Sequence, residues 1–288
     1  MSYNCVVLVK QVPDTQRITG QAMNEDGTVN RAALPAIFNP EDLNALELAL
    51  QIKDQYGGKV TVITMGLPAA SEVLRQSLYR GADEAILITD PRCAASDTLA
   101  TSYILSCAVR RLPFDLVLCG RQAIDGDTAQ VGPQTAEKLG ISQVSYVESL
   151  LGIEGKTITL RRNLGNGFQE VRGKLPMLLT VIGEANEPRV AGVKRLMKFK
   201  KARTKVELPK ESAEAQYADL TARGLAIRQW DLDSIQADLA WCGRDGSPTK
   251  VHRIQSVVLT AKETKQIPAS EDGIRAMVLE LIEDHTLG

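Results

Sequence analysis

The residues best suited to chemistry lie between Cys119 and Gly140, where two glycines, an arginine and two carboxylates follow an apolar run from Phe114 to Leu118. That run has the length and composition of a buried strand. A strand that ends in a glycine-bearing polar turn and then enters a helix is where open α/β sheets place their ligands. Gly120 and Gly126 let the backbone come close to a bound group with no Cβ in the way. Asp127 or Thr128 is placed to cap the following helix, whose first-turn N–H groups make a seat for an anion. Arg121 adds a fixed positive fork. The segment therefore reads as a nucleotide-phosphate cradle. Asp125 and Asp127 would repel a bare phosphate unless they face ribose hydroxyls or cap N–H groups. The same residues would also serve a plain strand-to-helix turn.

Other chemistries find little support. The chain has two histidines, His252 and His285, both far in sequence from the cradle, so histidine acid/base catalysis is not expected. No Ser/His/Asp or Cys/His nucleophile set can be assembled. Five scattered cysteines without CxxC spacing suit free thiols in a reducing compartment rather than a disulfide frame or a metal cluster. Asp125 with Asp127 could hold magnesium, but capping is the simpler use, and no metal is expected. The net charge is −1 over 288 residues, which calls for neither nucleic acid nor an anionic membrane. No apolar run reaches about 18 residues and no leader pattern occupies Met1 to Lys10, so a cytoplasmic protein without a membrane span is expected.

The cradle needs a sheet to hold it. Cys5 to Val9, Lys59 to Met65, Ala85 to Thr89 and Leu116 to Leu118 read as strands, alternating with helices. Asn39 and Pro40 open the first helix, with Glu41 and Asp42 in its first turn. Pro68 to Arg80 forms the second helix, and Ser96 or Asp97 opens the third. Connections too long for hairpins imply right-handed crossovers and a parallel sheet. A hairpin-type turn is expected at Glu25-Asp26-Gly27. After Gly140, the segments Gln143 to Leu150, Thr157 to Arg162, Glu170 to Lys174 and Met177 to Ile182 read as antiparallel additions to one edge. The expected fold is α/β, with a mostly parallel, doubly wound, Rossmann-like sheet, antiparallel edge strands and an extended C-terminal arm. Lys194 to Lys205 carries seven basic residues and no acidic one, so a packed helix is not expected there. An acidic partner or cofactor phosphates would suit it better than nucleic acid.

Several motifs in order resemble the beta subunit of electron transfer flavoproteins. They are Val9-Lys10-Gln11-Val12-Pro13-Asp14, Asn39-Pro40, Thr64-Met65-Gly66, Gly81-Ala82-Asp83, Lys174-Leu175-Pro176, Asn186-Glu187-Pro188-Arg189 and the long string from Gln122 to Pro133. The resemblance covers most of the first two hundred residues. It implies an alpha-subunit partner holding an electron-transferring FAD, and FAD or AMP on the beta subunit. It implies cofactor contacts at Leu8, Val9, Asn39, Pro40, Glu41, Asp42, Met65 and Gly66. Further contacts are implied at Gly120, Arg121, Gln122, Ala123, Ile124, Asp125, Gly126, Asp127, Thr128, Ala129, Gln130 and Val131.

Two details of the resemblance favour FAD. Thr15 stands where AMP-holding members commonly have tyrosine, and Gly126-Asp127-Thr128-Ala129-Gln130-Val131-Gly132-Pro133 is similar to the form in electron-bifurcating and nitrogen-fixation-type relatives. In those, NADH delivers a hydride, one electron goes to ferredoxin or flavodoxin, and the other passes through the alpha-subunit FAD to an acyl-CoA dehydrogenase or quinone reductase. The resemblance further implies that residues 1–186 form the nucleotide-binding domain. Residues 187–288 would supply a docking loop, with Val193, Leu196 and Met197 as its anchor, and an arm. Lacking a core of its own, the arm must bury its apolar residues on the main domain or on another chain, the alpha subunit being expected. A stand-alone ATP-binding domain would instead need a glycine- and serine-rich phosphate loop in place of the acidic turn.

Overall fold

In the computed structural model, residues 2–14, 34–250 and 265–283 are described. The turn at Glu25 to Gly27, Thr15, both histidines and the apolar tail residues Val257 to Leu259 lie outside them.

Four strands expected from sequence form the centre: β1 (Cys5–Leu8), β4 (Val60–Met65), β5 (Glu84–Ile88) and β6 (Leu116–Gly120). A short antiparallel pair, β2 (Gln11–Pro13) and β3 (Ala36–Phe38), leads into α1 (Pro40–Tyr56). Then come α2 (Ser71–Arg80), α3 (Thr98–Val109) and α4 (Val131–Leu139). Pro40 occupies the first turn of α1, where its missing N–H costs nothing. Asp97 caps α3 by accepting from the Ala100 N–H at 2.9 Å.

The remaining strands are β7 (Ser142–Glu154), β8 (Thr157–Asn163), β9 (Phe168–Lys174), β10 (Met177–Val181) and β11 (Arg228–Trp230). The main sheet runs β11-β5-β4-β1-β6-β10-β7-β8-β9. All neighbours from β11 to β7 pair parallel, and only β8 and β9 are antiparallel. Val6, Leu8, Ile63, Ile86, Val117 and Leu178 face α3 and α4, while Val7, Val62, Leu87, Leu118 and Leu179 face α1 and α2. That alternation gives the doubly wound form, and the strand order reverses between β1 and β6.

Two expectations are corrected. Met177 to Val181 is not an antiparallel edge strand: it lies parallel between β6 and β7. The expected antiparallel strand at Gln143 to Leu150 therefore also pairs parallel on that side and is antiparallel only to β8. Strand β10 is buried along its whole length, so it needs cover on both faces, which an edge does not give. Lys194 to Lys205 is not helix-free either, since α5 (Val193–Phe199) lies in it and packs on α2. No apolar stripe holds α5. Arg195 Nε donates to the Leu78 carbonyl at 2.7 Å, its guanidinium lies 5.2 Å from the Phe199 ring, and Gly192 N donates to the Tyr79 carbonyl. Arginine thus serves the carbonyls ending α2, which hydrophobic spacing does not register.

Beyond α5 the chain adds α6 (Ala213–Ala222) and β11, with Ile227, Leu232 and Ile235 buried in the cores on either face of the main sheet. The exposed α7 (Glu271–Glu283) follows. Among the described residues no helix is long and apolar enough to cross a membrane.

The segment leaving β10 is latched to α1. Asn44 Nδ2 donates to the carbonyls of Gly183 and Asn186, at 3.0 and 2.7 Å. Arg189 donates from Nε and Nη2 to the buried Glu47 carboxylate at 2.8 and 3.0 Å. Arg189→Ala leaves that carboxylate without its cation and is expected to cost about 2 kcal/mol, below the loss for a fully buried pair because Arg189 is partly exposed. Urea unfolding measures it, and adding Glu47→Gln should recover much of the loss.

Candidate functional site

The β1/β6 switch point is organised by Asp42. Its Oδ2 accepts from the Lys10 N–H and its Oδ1 from the Gly120 N–H, both at 2.8 Å. The carboxyl therefore ties the ends of both strands to the first turn of α1. A Cβ on Gly120 would lie 2.6 Å from Asp42 Oδ1 and 2.8 Å from the Glu41 backbone, so only glycine fits there.

The turn beyond Gly120 is held by the residues that start α1. Asn39 Nδ2 donates to the Gln122 carbonyl at 2.9 Å, and its Oδ1 accepts from the Ile124 N–H at 3.2 Å. Glu41 accepts from the Gln122 N–H at 3.1 Å and pairs with Arg121 Nη2 at 2.9 Å. Lys10 Nζ lies 2.8 Å from the Asp125 carboxylate, and Gln122 Nε2 donates to Asp127 at 3.0 Å. Asn39 thus stands at the helix-cap position without capping by its side chain, which is committed to the turn instead.

Neither Asp127 nor Thr128 caps α4, which begins later, at Val131, behind Gln130. Asp127 and Ala129 adopt left-handed backbone, at φ 47° and 53°. Successive left- and right-handed residues make a backbone concavity that suits an anion. Among the described residues, the N–H groups of Ala129, Gln130, Val131 and Gly132 have no protein acceptor. At Gly126 nothing lies within 4 Å of where a Cβ would be, so no protein atom requires glycine there. It borders open space instead.

That space is a cavity of about 650 Å³. Of the residues expected at the site, Leu8, Val9, Asp42, Met65, Gly120 to Ala123 and Gly126 to Val131 line it. Asn39, Glu41, Ile124 and Asp125 stand behind the lining and hold it, as the bonds above describe. Pro40 opens α1, and the Gly66 N–H donates to the Ile88 carbonyl at 3.0 Å. The expected residues lacked the opposite wall, Cys93 and Ala95 to Thr98 with Thr101, and also Lys10, Cys119 and Gly132. The signal was available: these residues follow β5, and every parallel strand in such a sheet delivers its C-terminal loop to one side. Thr98 Oγ1 lies 2.9 Å from Gln130 Oε1 and bridges the two walls.

Arg121 reaches the rim, with its guanidinium 5.7 Å from the Tyr146 ring. Val193 and Met197 are 78% and 55% exposed, while Leu196 is half-buried. They lie on α5, away from the cavity lining.

The chain is an open, doubly wound α/β protein with its crevice at the strand-order reversal, where such sheets hold their ligands. Residues 26–214 match the family described as the electron transfer flavoprotein domain. The chain is 43% identical over 250 residues to an electron transfer flavoprotein subunit beta of Clostridium acetobutylicum, covering 87% of this chain and 86% of that protein. It is 36% identical over 280 residues to Protein FixA of Bradyrhizobium diazoefficiens, covering 95% and 89%. It is 40% identical over 250 residues to the caffeyl-CoA reductase-Etf complex subunit CarD of Acetobacterium woodii, covering 86% of each. The chain belongs to the electron transfer flavoprotein family, as a beta subunit of its FixA-type branch.

Burial pushes the Asp42 carboxyl up to about 7, against the pull of the Gly120 and Lys10 N–H groups and the Asn39 side chain, with Glu41 adding a further rise. Between about pH 4 and 7 the folded chain then holds a proton that the unfolded chain has released. Stability carried by this proton is complete below the unfolded value and is lost as pH rises through about 7. Urea midpoints across that interval should fall with rising pH, and Asp42→Asn, which cannot titrate, should flatten the slope. An unchanged slope in the variant would remove Asp42 as its source.

Proposed function

We propose that this chain binds FAD in the cavity over Gly120 to Val131 and works in a heterodimer with an electron transfer flavoprotein alpha subunit. The observation that carries the reading is the row of unclaimed N–H groups from Ala129 to Gly132 facing a space of about 650 Å³. Ala129, Gln130, Val131 and Gly132 would seat the pyrophosphate by main-chain donors, and Leu8 and Met65 would give apolar cover. FAD, when bound, supplies an acceptor for a hydride whose electrons leave singly.

In this reading NADH is the donor, and ferredoxin or flavodoxin takes one electron. The other passes through the alpha-subunit FAD to an acyl-CoA dehydrogenase or quinone reductase. A relative that belongs to a caffeyl-CoA reductase complex supports the acyl-CoA side. The second reading is structural AMP in the same cavity, which the same backbone donors would also suit. Cytoplasmic location and the division at residue 186 belong to the proposal as well.

Flavin counting separates the two readings: the purified heterodimer should release two FAD, whereas one FAD and one AMP would sink bifurcation here. Gly126→Leu, whose side chain would enter open space, should lower nucleotide retention by at least about tenfold while leaving the thermal midpoint within a few degrees. Equal retention would place the cofactor elsewhere.

The apolar anchor on α5, Val193 with Leu196 and Met197, is proposed to meet the dehydrogenase. Lys194, Lys198 and Lys201 rim it. Val193→Asp should slow reduction of that partner about tenfold or more without changing the flavin count, read by stopped-flow.

A further inference from the structure

A second cavity, of about 440 Å³, lies on the far side of Arg121, lined by Tyr146, Arg162, Asn163, Leu164, Ile182 and Glu184 together with Arg121 and Gly165. Strand pattern makes Arg162 unusual. Ile158 and Leu160 of β8 are fully buried, and period-two alternation puts Arg162 on that same inner side, where the next member of the row would be apolar. Arg162 is half-buried there, with its Nε shielded from solvent.

It has few partners. Arg162 Nη2 donates to Ser145 Oγ at 3.1 Å, and no carboxylate among the described residues pairs with it. Its Nε is buried without an acceptor, and so is the Nε of Arg121, whose Nη2 is taken by Glu41. Glu184, on the lip, makes no ion pair among the described residues. Asn163 commits its Oδ1 to the Gly165 N–H, which leaves its amide nitrogen as a donor. Buried donors left without acceptors are rare in folded proteins, and two on one cavity wall ask for a missing acceptor. Tyr146 adds a second sign: it sits at φ 60°, costly for a tyrosine, and its half-exposed ring borders the same space under Arg121.

We infer that this second cavity is a separate oxyanion site, in which Arg162 grips the phosphate or carboxylate of a small ligand, with Arg121 Nε and Asn163 Nδ2 beside it. Guanidinium presents its Nε and Nη donors as a planar fork, which matches two oxygens of either group. It shares Arg121 with the first cavity, but Tyr146, Arg162, Asn163 and Glu184 line the second alone.

The test is calorimetric titration of the full-length chain with two probes, inorganic pyrophosphate and succinate. Gly126→Leu, which blocks the first cavity, should leave one saturable site for at least one probe. Arg162→Ala should weaken that site by about 10- to 100-fold, the range for loss of a charge-assisted bond. Arg162→Gln keeps a donor for Ser145 and removes the fork; it should weaken the site similarly, and it decides the matter if the alanine variant does not fold. Binding of pyrophosphate alone assigns a phosphate source, and of succinate alone a carboxylate. No saturable binding in the Gly126→Leu chain, or binding undiminished in the Arg162 variants, overturns the inference. A heterodimer without beta-bound FAD would sink the functional reading and leave this result standing.

Discussion

One buried carboxyl sets the geometry on which the cavity depends. Asp42 spends both oxygens on backbone N–H groups of different strands, and those strands are the two between which the sheet reverses direction. Parallel strands diverge at a switch point because their helices depart to opposite faces. Without a bridge, the N–H groups at the ends of β1 and β6 would be left buried and unpaired, at a cost of about 1–3 kcal/mol each. A carboxyl serves where an amide would not, since an amide offers only one accepting atom. The bridge also explains the glycine at 120. Any side chain there would push the helix start away from the strand and break both bonds.

Every charged side chain of the turn already has a partner within the chain. Asp125 holds Lys10, Asp127 takes the Gln122 amide, and Arg121 is matched by Glu41. Lys10 thereby offsets the Asp125 charge, while the Gln122 amide only orients Asp127, so an anion in the cavity would meet main-chain donors first. Such donors cost no side-chain entropy to order. Main-chain donors also tolerate different groups that share a phosphate.

The sequence made the centre of the fold legible because buried parallel strands and capped helices write themselves in local pattern. Val60 to Met65 and Glu84 to Ile88 are apolar runs between helix signals, and Asn39-Pro40 marks a helix start. Most of the cavity's near wall was legible too, through the long string from Gln122 to Pro133. What stayed hidden depends on pairing across long separations. Met177 to Val181 has the composition of an interior strand, but no local feature says which neighbours it enters between. Helix α5 rests on one arginine reaching carbonyls 113 and 117 residues away, which no periodicity records. The wall after β5 was missed for a different reason, since its residues are ordinary capping and turn types whose second use appears only when the strand ends converge.

That wall also shows how far the site reaches along the chain. Asp97 accepts from the Thr249 N–H at 3.0 Å and from its hydroxyl at 2.7 Å, and the Asp97 N–H donates to Ser247 Oγ at 2.9 Å. Gly243 N donates to Ser96 Oγ, and its α-carbon packs so near the Arg92 carbonyl that a Cβ would fall 2.1 Å from it. Residues about 150 positions later therefore brace the loop from which Thr98 bridges to Gln130. A cap such as Asp97 would fix the start of α3 by itself, but it leaves the preceding loop free to move with solvent-exposed turns. Binding it to a late segment makes one wall of the cavity conditional on the C-terminal part of the chain being in place. The two walls then become ordered by different stretches of sequence: the near one by the start of α1, the far one by the strap from Cys242 to Thr249.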